Sequence, residues 1–208
     1  MAFVITIAQQ KGGAGKTTVA ANLAAAFAVT RRVAVLDIDP QHSLARWHAL
    51  RAARTGVPQV GFSDVSGWRL AREIDRLRGL NDILIVDSPP QLDTDAKLAI
   101  RAADLVLVPL QPSPPDFWAA EGTLKLAAAE RRPARILLNR APASGKLRVA
   151  VEAAIAEAGY PVLTATLGNR VGFAVAFAQG LGIGETAPRS TAGREFAIVV
   201  AEIEELIP

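Results

Sequence analysis

Residues 10–18 read QKGGAGKTT, and the apolar run FVITIA (3–8) stands just before them. A phosphate-binding loop of the pattern G-x-x-x-x-G-K-[ST] carries its first glycine five positions ahead of the glycine of its GK pair. That position is Gln10 here, and glycines stand instead at Gly12 and Gly13. In such a loop, backbone N–H groups and the first turn of the next helix wrap a phosphate, which requires residues that approach closely and accept positive φ. Gly12, Gly13 and Gly15 meet that requirement, with Ala14 between them. Lys16 is placed to reach the β- and γ-phosphates, the Thr17 hydroxyl to ligate Mg²⁺, and Thr18 to continue the cradle into the helix. Lys11 is not explained by this loop, which already has its phosphate lysine. A second cation there either points to solvent or meets phosphate charge from outside its own loop.

Working outward, short β-branched runs recur between alanine-rich stretches: VAVLDI (33–38), ILIVD (83–87), LVLVPL (105–110), ARILLN (134–139) and PVLTATL (161–167). Continuous rather than alternating apolar runs are the signature of strands buried on both faces of a parallel sheet. Residues 16–29, 43–54, 67–78, 116–130, 146–158 and 192–206 have helical length and apolar spacing. The sequence therefore predicts one α/β domain over 1–208, a doubly wound, mostly parallel sheet with helices on both faces.

Three acids fall at strand ends: Asp37 and Asp39 in VLDIDPQ, and Asp87 in ILIVDSPP. Ligands of open α/β sheets bind at the carboxyl ends of strands, so these acids are expected on the edge that carries the glycine loop. Asp also caps helices and turns after strands, which is the other reading of each one alone.

Composition removes several function classes. The chain has no cysteine, which excludes disulfides, iron–sulfur clusters and thiolate zinc sites. Half of the 208 residues are apolar, enough for a substantial core, yet no run approaches the length of a membrane span. The net charge of +3, with arginine far outnumbering lysine, fits either a polyanionic partner or a GC-rich coding sequence. A soluble, cytoplasmic protein is expected.

KGGAGKTT resembles the deviant Walker A motif, KGGxGKT[ST], of the ParA/MinD branch of P-loop ATPases. The resemblance implies ATP and Mg²⁺ as ligands and a sandwich homodimer formed on ATP binding. In it Lys11 crosses to the phosphates of the other subunit, while Lys16 serves its own. DxDPQ and the Walker B pattern ending D-[ST]-P-P match next. By that likeness Asp87 holds the Mg²⁺ shell, Asp39 positions the attacking water, and Asp37 supports the metal from further out. The chain departs from the usual DPQGS at His42; with His48 six residues on and off its helical face, the two histidines do not build a metal pair. Asn139–Arg140 resembles the family's N-[RK] pair, in which the Asn amide reads the adenine edge with donor and acceptor together. QPSPPDFWAAEG (111–122) is similar to a segment of small, ParF-like partition ATPases near their dimer face, where Trp118 is either interface or core. Arg170 and Arg189 align with basic positions that in relatives bind DNA without sequence preference; solvated surface is their alternative.

The resemblance covers essentially the whole chain. It implies a partition or positioning ATPase, nucleoid-associated, whose ATP dimer binds DNA non-specifically and is reset by a ParB-like activator. The cargo would be a plasmid, a chromosome region or a protein cluster. The alternative is a nucleotide-dependent regulatory switch that binds protein and not DNA. A dethiobiotin-synthetase-like ligase on the same fold would need a substrate pocket and no Lys11. The first strand at residue 3 leaves no room for an N-terminal helix-turn-helix domain. The acidic ending AIVVAEIEELIP argues against a MinD-like membrane helix.

Overall fold

The computed structural model describes residues 1–208. Seven strands form one all-parallel sheet: β1 (Phe3–Ile7), β2 (Val33–Asp37), β3 (Gly61–Ser63), β4 (Ile83–Asp87), β5 (Leu105–Leu110), β6 (Ala134–Ala141) and β7 (Val162–Gly168). Their order is β3-β2-β4-β1-β5-β6-β7, so β1 lies centrally with β4 on one side and β5 on the other. Helices α1 (Lys16–Phe27), α2 (Ser43–Ala52), α7 (Val171–Phe177), α8 (Ile183–Thr186) and α9 (Thr191–Glu204) are on one face. On the other are α3 (Leu70–Leu80), α4 (Thr94–Ala102), α5 (Pro114–Ala129) and α6 (Lys146–Glu157).

The central strands explain the layers. Ile5 and Ile7 of β1 face the α1 side while Val4 faces α3 and α4, and all are fully buried. Helix α1 is buried almost all round, because its alanines are small enough to let it lie between the sheet and the α7–α9 layer. Asn22 of α1 accepts the Ile183 N–H (2.7 Å), which fixes α8 against it. No helix is long and apolar enough to cross a membrane.

The expected strands are all present, and four elements were not anticipated: β3, α4 and the two short helices α7 and α8. The edge strand β3 has only three residues, too short for a periodicity to register. Helix α4 lies in DTDAKLAIRAA, where four charged side chains break the apolar pattern; Asp93 caps it by accepting the Ala96 N–H (2.8 Å). The expected helix 67–78 is a 3-10 turn over Gly67–Arg69 followed by α3 to Leu80. Helix α5 starts at Pro114, where Ser113 caps and two prolines fit a first turn that needs no N–H partner.

Candidate functional site

The loop between β1 and α1 sits at the carboxyl edge of the central strand. Gly13 (φ +80°) and Gly15 (φ +93°) take the left-handed conformation there. The expected cradle Gly12, Gly13, Gly15, Lys16, Thr17 and Thr18 lines a cavity of about 170 Å³. Asp39, Gln41, Ser43, Pro90 and Arg140 complete its wall. Lys16 is buried and donates to the Gln9 carbonyl (3.2 Å). Burial lowers its pKa, and the carboxylates of Asp87 and Asp39 oppose that shift.

The missing first glycine has a structural reason. The Gln10 side chain lies along α5 against Gly122, occupying the space a β-carbon there would need. Gln9 also reaches this region, donating to the carbonyls of Pro109 and Asp116 (both 3.4 Å), and Gln111 donates to the Gly13 carbonyl (3.1 Å). The loop is thus braced from its leading side by the β5–α5 connection. Lys11 joins the same bracing: its ammonium is 2.5 Å from Oδ2 of the buried Asp116 of its own chain.

The three acids converge as expected but have different duties. Asp87 is fully buried, and neither oxygen has a hydrogen-bond partner of normal geometry. Burial pushes its pKa up to about 8, although the nearby Thr17 hydroxyl and Lys16 ammonium favour the charged form. A buried, unpartnered carboxylate beside a threonine hydroxyl fits Mg²⁺, which draws few protein ligands and keeps its remaining positions for water and phosphate oxygens. No group of three or more His, Cys, Asp or Glu that could hold a metal ion is present in the chain. Asp37 was expected to support a metal, yet both its oxygens accept backbone N–H groups, from Asp39 (3.1 Å) and Ala45 (2.9 Å). It clamps the loop into α2, which brings the half-exposed Asp39 onto the phosphate cavity. His42 stands in the left-handed region (φ +50°), the conformation that makes glycine the usual residue there.

Asn139 has a structural duty that sequence reading did not expect. Its Nδ2 donates to the Ala14 carbonyl (2.7 Å) and its Oδ1 accepts the Arg140 N–H (3.0 Å). One donor and one acceptor position of the amide are thus engaged with backbone; the amide packs on Gly15 and also lines the cavity next to it. A second cavity, of about 280 Å³, shares Gly15, Thr18 and Arg140 with the phosphate cavity and has Val19, Leu167 and Phe173 among its apolar walls. The adjoining polar and apolar chambers match a nucleotide's phosphates and its base.

Arg170 lines that second cavity and pairs with Glu195 (2.7 Å), so it is not a free surface cation. Arg189 is exposed, and no ion pair holds it. Trp118 is 66 % exposed, which removes it from the core. Sequence reading gave no individual role to Asp116, Gln9 or Gln111; the available signal was that QPSPPDFWAAEG (111–122), which contains Gln111 and Asp116, resembles a segment near the dimer face.

A family model described as the CobQ/CobB/MinD/ParA nucleotide binding domain matches residues 5–183. The chain is 32% identical to "Maintenance of carboxysome distribution protein A" of Halothiobacillus neapolitanus, over all of this chain and 97% of that protein. It is 33% identical to the chromosome-partitioning ATPase Soj of Thermus thermophilus over 60% of this chain and 59% of that one. Among solved structures, apo McdA of Cyanothece superposes with a TM-score of 0.82 at 18% identity, covering both chains fully. MinD of Pyrococcus horikoshii with Mg-ADP gives 0.80 at 22% identity, over 99% of this chain and 97% of that one.

Proposed function

This chain belongs to the CobQ/CobB/MinD/ParA nucleotide-binding family, and on that premise we propose that it is a positioning ATPase: an ATP-bound sandwich dimer that binds DNA non-specifically and is reset by partner-stimulated hydrolysis. The observation that carries the reading is the position of Lys11. It is half-exposed on the side of the loop facing α5, away from the cradle that Lys16 already serves, where it is accessible to a second subunit.

In the chemistry proposed, N–H groups of the Gly12–Thr18 turn and the Lys16 ammonium hold the β- and γ-phosphates. Mg²⁺ held by Thr17 and Asp87 would supply charge compensation at the phosphate oxygens. Asp39 orients the attacking water from the open side of the cavity. Lys11 of the other subunit neutralises charge that develops on the γ-phosphoryl group, a role in which a cation supplied in trans is worth ~10³ to 10⁵ in rate.

The full-length likeness to a carboxysome distribution protein supports a protein assembly as cargo, and the shorter likeness to Soj supports a chromosome region. The activator would be a ParB-like adaptor. For the DNA-bound state, Arg189 and its neighbours doubled by dimerisation are the candidate surface. The engagement of Arg170 with Glu195 favours the second reading, a regulatory switch that binds protein alone. Retention on DNA separates the two. With ATP and a hydrolysis-blocked Asp39→Ala protein, contact with about four to six phosphates gives a log–log salt slope of roughly −4 to −5, independent of sequence. Arg189→Glu should weaken that retention. Absence of any ATP-dependent, salt-sensitive retention would favour the switch.

A further inference from the structure

We propose that Asp116 is a positioning residue for Lys11: it holds the lysine on its own subunit and so sets the threshold at which ATP drives dimerisation. The proposal rests on the reading of Lys11 as a cation used across the dimer.

The Asp116 side chain is only 3 % exposed, while that of Lys11 is 43 % exposed. The buried carboxylate is therefore the fixed end of the pair and the lysine the free end. The Lys11 ammonium reaches Asp116 Oδ2 at 2.5 Å, and the Ser113 hydroxyl donates to the same oxygen. Oδ1 is buried without a partner. Asp116 is also anchored by its backbone: its N–H donates to Ser113 Oγ (3.3 Å), and its carbonyl accepts from Gln9 (3.4 Å). Lys11 is thus the only cation on this carboxylate. When it leaves, a desolvated charge keeps a single hydroxyl donor, and breaking a buried pair in this way is costly.

Two consequences follow. In the free subunit, Lys11 is directed to α5 and away from the cradle, so it adds nothing to the subunit's own phosphates. Its transfer to a partner's γ-phosphate must outweigh the loss at Asp116, which biases the protein toward the monomer until ATP, with its extra charge, is bound. A competent state populated only fractionally lowers the apparent affinity by that fraction.

Asp116→Asn keeps the size of the side chain and the Ser113 contact while removing the charge that holds Lys11. It should lower the protein concentration for half-dimerisation with ATP by about tenfold and raise unstimulated turnover in parallel. ADP affinity, which does not involve the dimer, should stay within about twofold. Asp116→Glu, which retains the charge, should restore the wild-type threshold, and Lys11→Ala with Asp116→Asn should not dimerise at all. Sedimentation equilibrium across a protein series with ATP or ADP reads the wild type, these three variants and Lys11→Ala, and circular dichroism establishes that each is folded. A folded Asp116→Asn protein with an unchanged or raised threshold overturns the proposal. Failure of the underlying reading looks different: the wild-type and Lys11→Ala proteins would then behave alike with ATP.

Discussion

Gln10 lies against Gly122, so the side chain that replaces the first glycine of the phosphate loop is docked on α5 at a point where that helix has no β-carbon. Gly122→Ala gains helix propensity of about 0.5–1 kcal/mol. It also displaces the end of Gln10, a flexible side chain that can move. Overall stability should therefore change by less than about 1 kcal/mol, while loss of the brace weakens nucleotide binding by about three- to tenfold. Gln10→Gly in the same protein should recover part of that affinity. Titration with a fluorescent ATP analogue measures both.

Asn139 braces the loop by donating to the Ala14 carbonyl. Asn139→Ala leaves a buried acceptor unsatisfied, at a cost of about 1–3 kcal/mol. Because the amide is engaged with backbone, affinity for ATP and GTP should fall by the same factor. A selective loss of ATP binding, measured by isothermal titration of both nucleotides, would return Asn139 to the role of base reader.

Arg51 of α2 is buried and forms two hydrogen bonds to Glu185 of α8 (both 2.9 Å), with a third to the Gly180 carbonyl (3.3 Å). Glu185→Ala strands that guanidinium and should lower stability by roughly 3–5 kcal/mol in chemical denaturation. Replacing both partners with methionine should cost much less, since no unpaired charge remains.

Asp87 makes the ligand-free protein sensitive to pH. Its folded pKa of about 8 lies above the ordinary value of 3.8. The stabilisation from its bound proton is therefore complete below about pH 4 and is lost as pH rises through 8. The stability advantage of Asp87→Asn over wild type should grow across that window, on the order of a few kcal/mol, and level off above it. The same substitution should remove the Mg²⁺ dependence of ATP binding. Thermal melts between pH 5 and 9, with and without Mg-ATP, test both.

Most of the sheet and the cradle were legible because they follow from local rules: buried β-branched runs, glycines where φ is positive, and acids at strand ends. His42 shows where such rules stop, since its left-handed backbone follows from the turn that Asp37 clamps and not from its own preference. The short strand β3 and the charged helix α4 are specified by the neighbours they pack on, which no local pattern reports. The partners of Lys11, Gln10 and Asn139 lie between 105 and 125 residues away along the chain, or on a helix met only in three dimensions. Sequence spacing could therefore name these residues as special without saying what they touch.

Lys11→Ala and Asp39→Ala separate two parts of the proposed site. The first should bind nucleotide yet stay monomeric with ATP, and the second should dimerise without turning over. Light scattering with and without ATP distinguishes them.

The central claim is that Lys11 acts on nucleotide held by another subunit, and mixing these two inactive proteins tests it most directly. In a mixed dimer, the site on the Lys11→Ala subunit keeps its own Asp39 and receives Lys11 from the Asp39→Ala subunit, so one complete site forms. Phosphate release from the mixture should rise well above the sum of the separate proteins, with an optimum near equal proportions. A mixture no more active than that sum, from two proteins that each bind ATP, would contradict action across the interface.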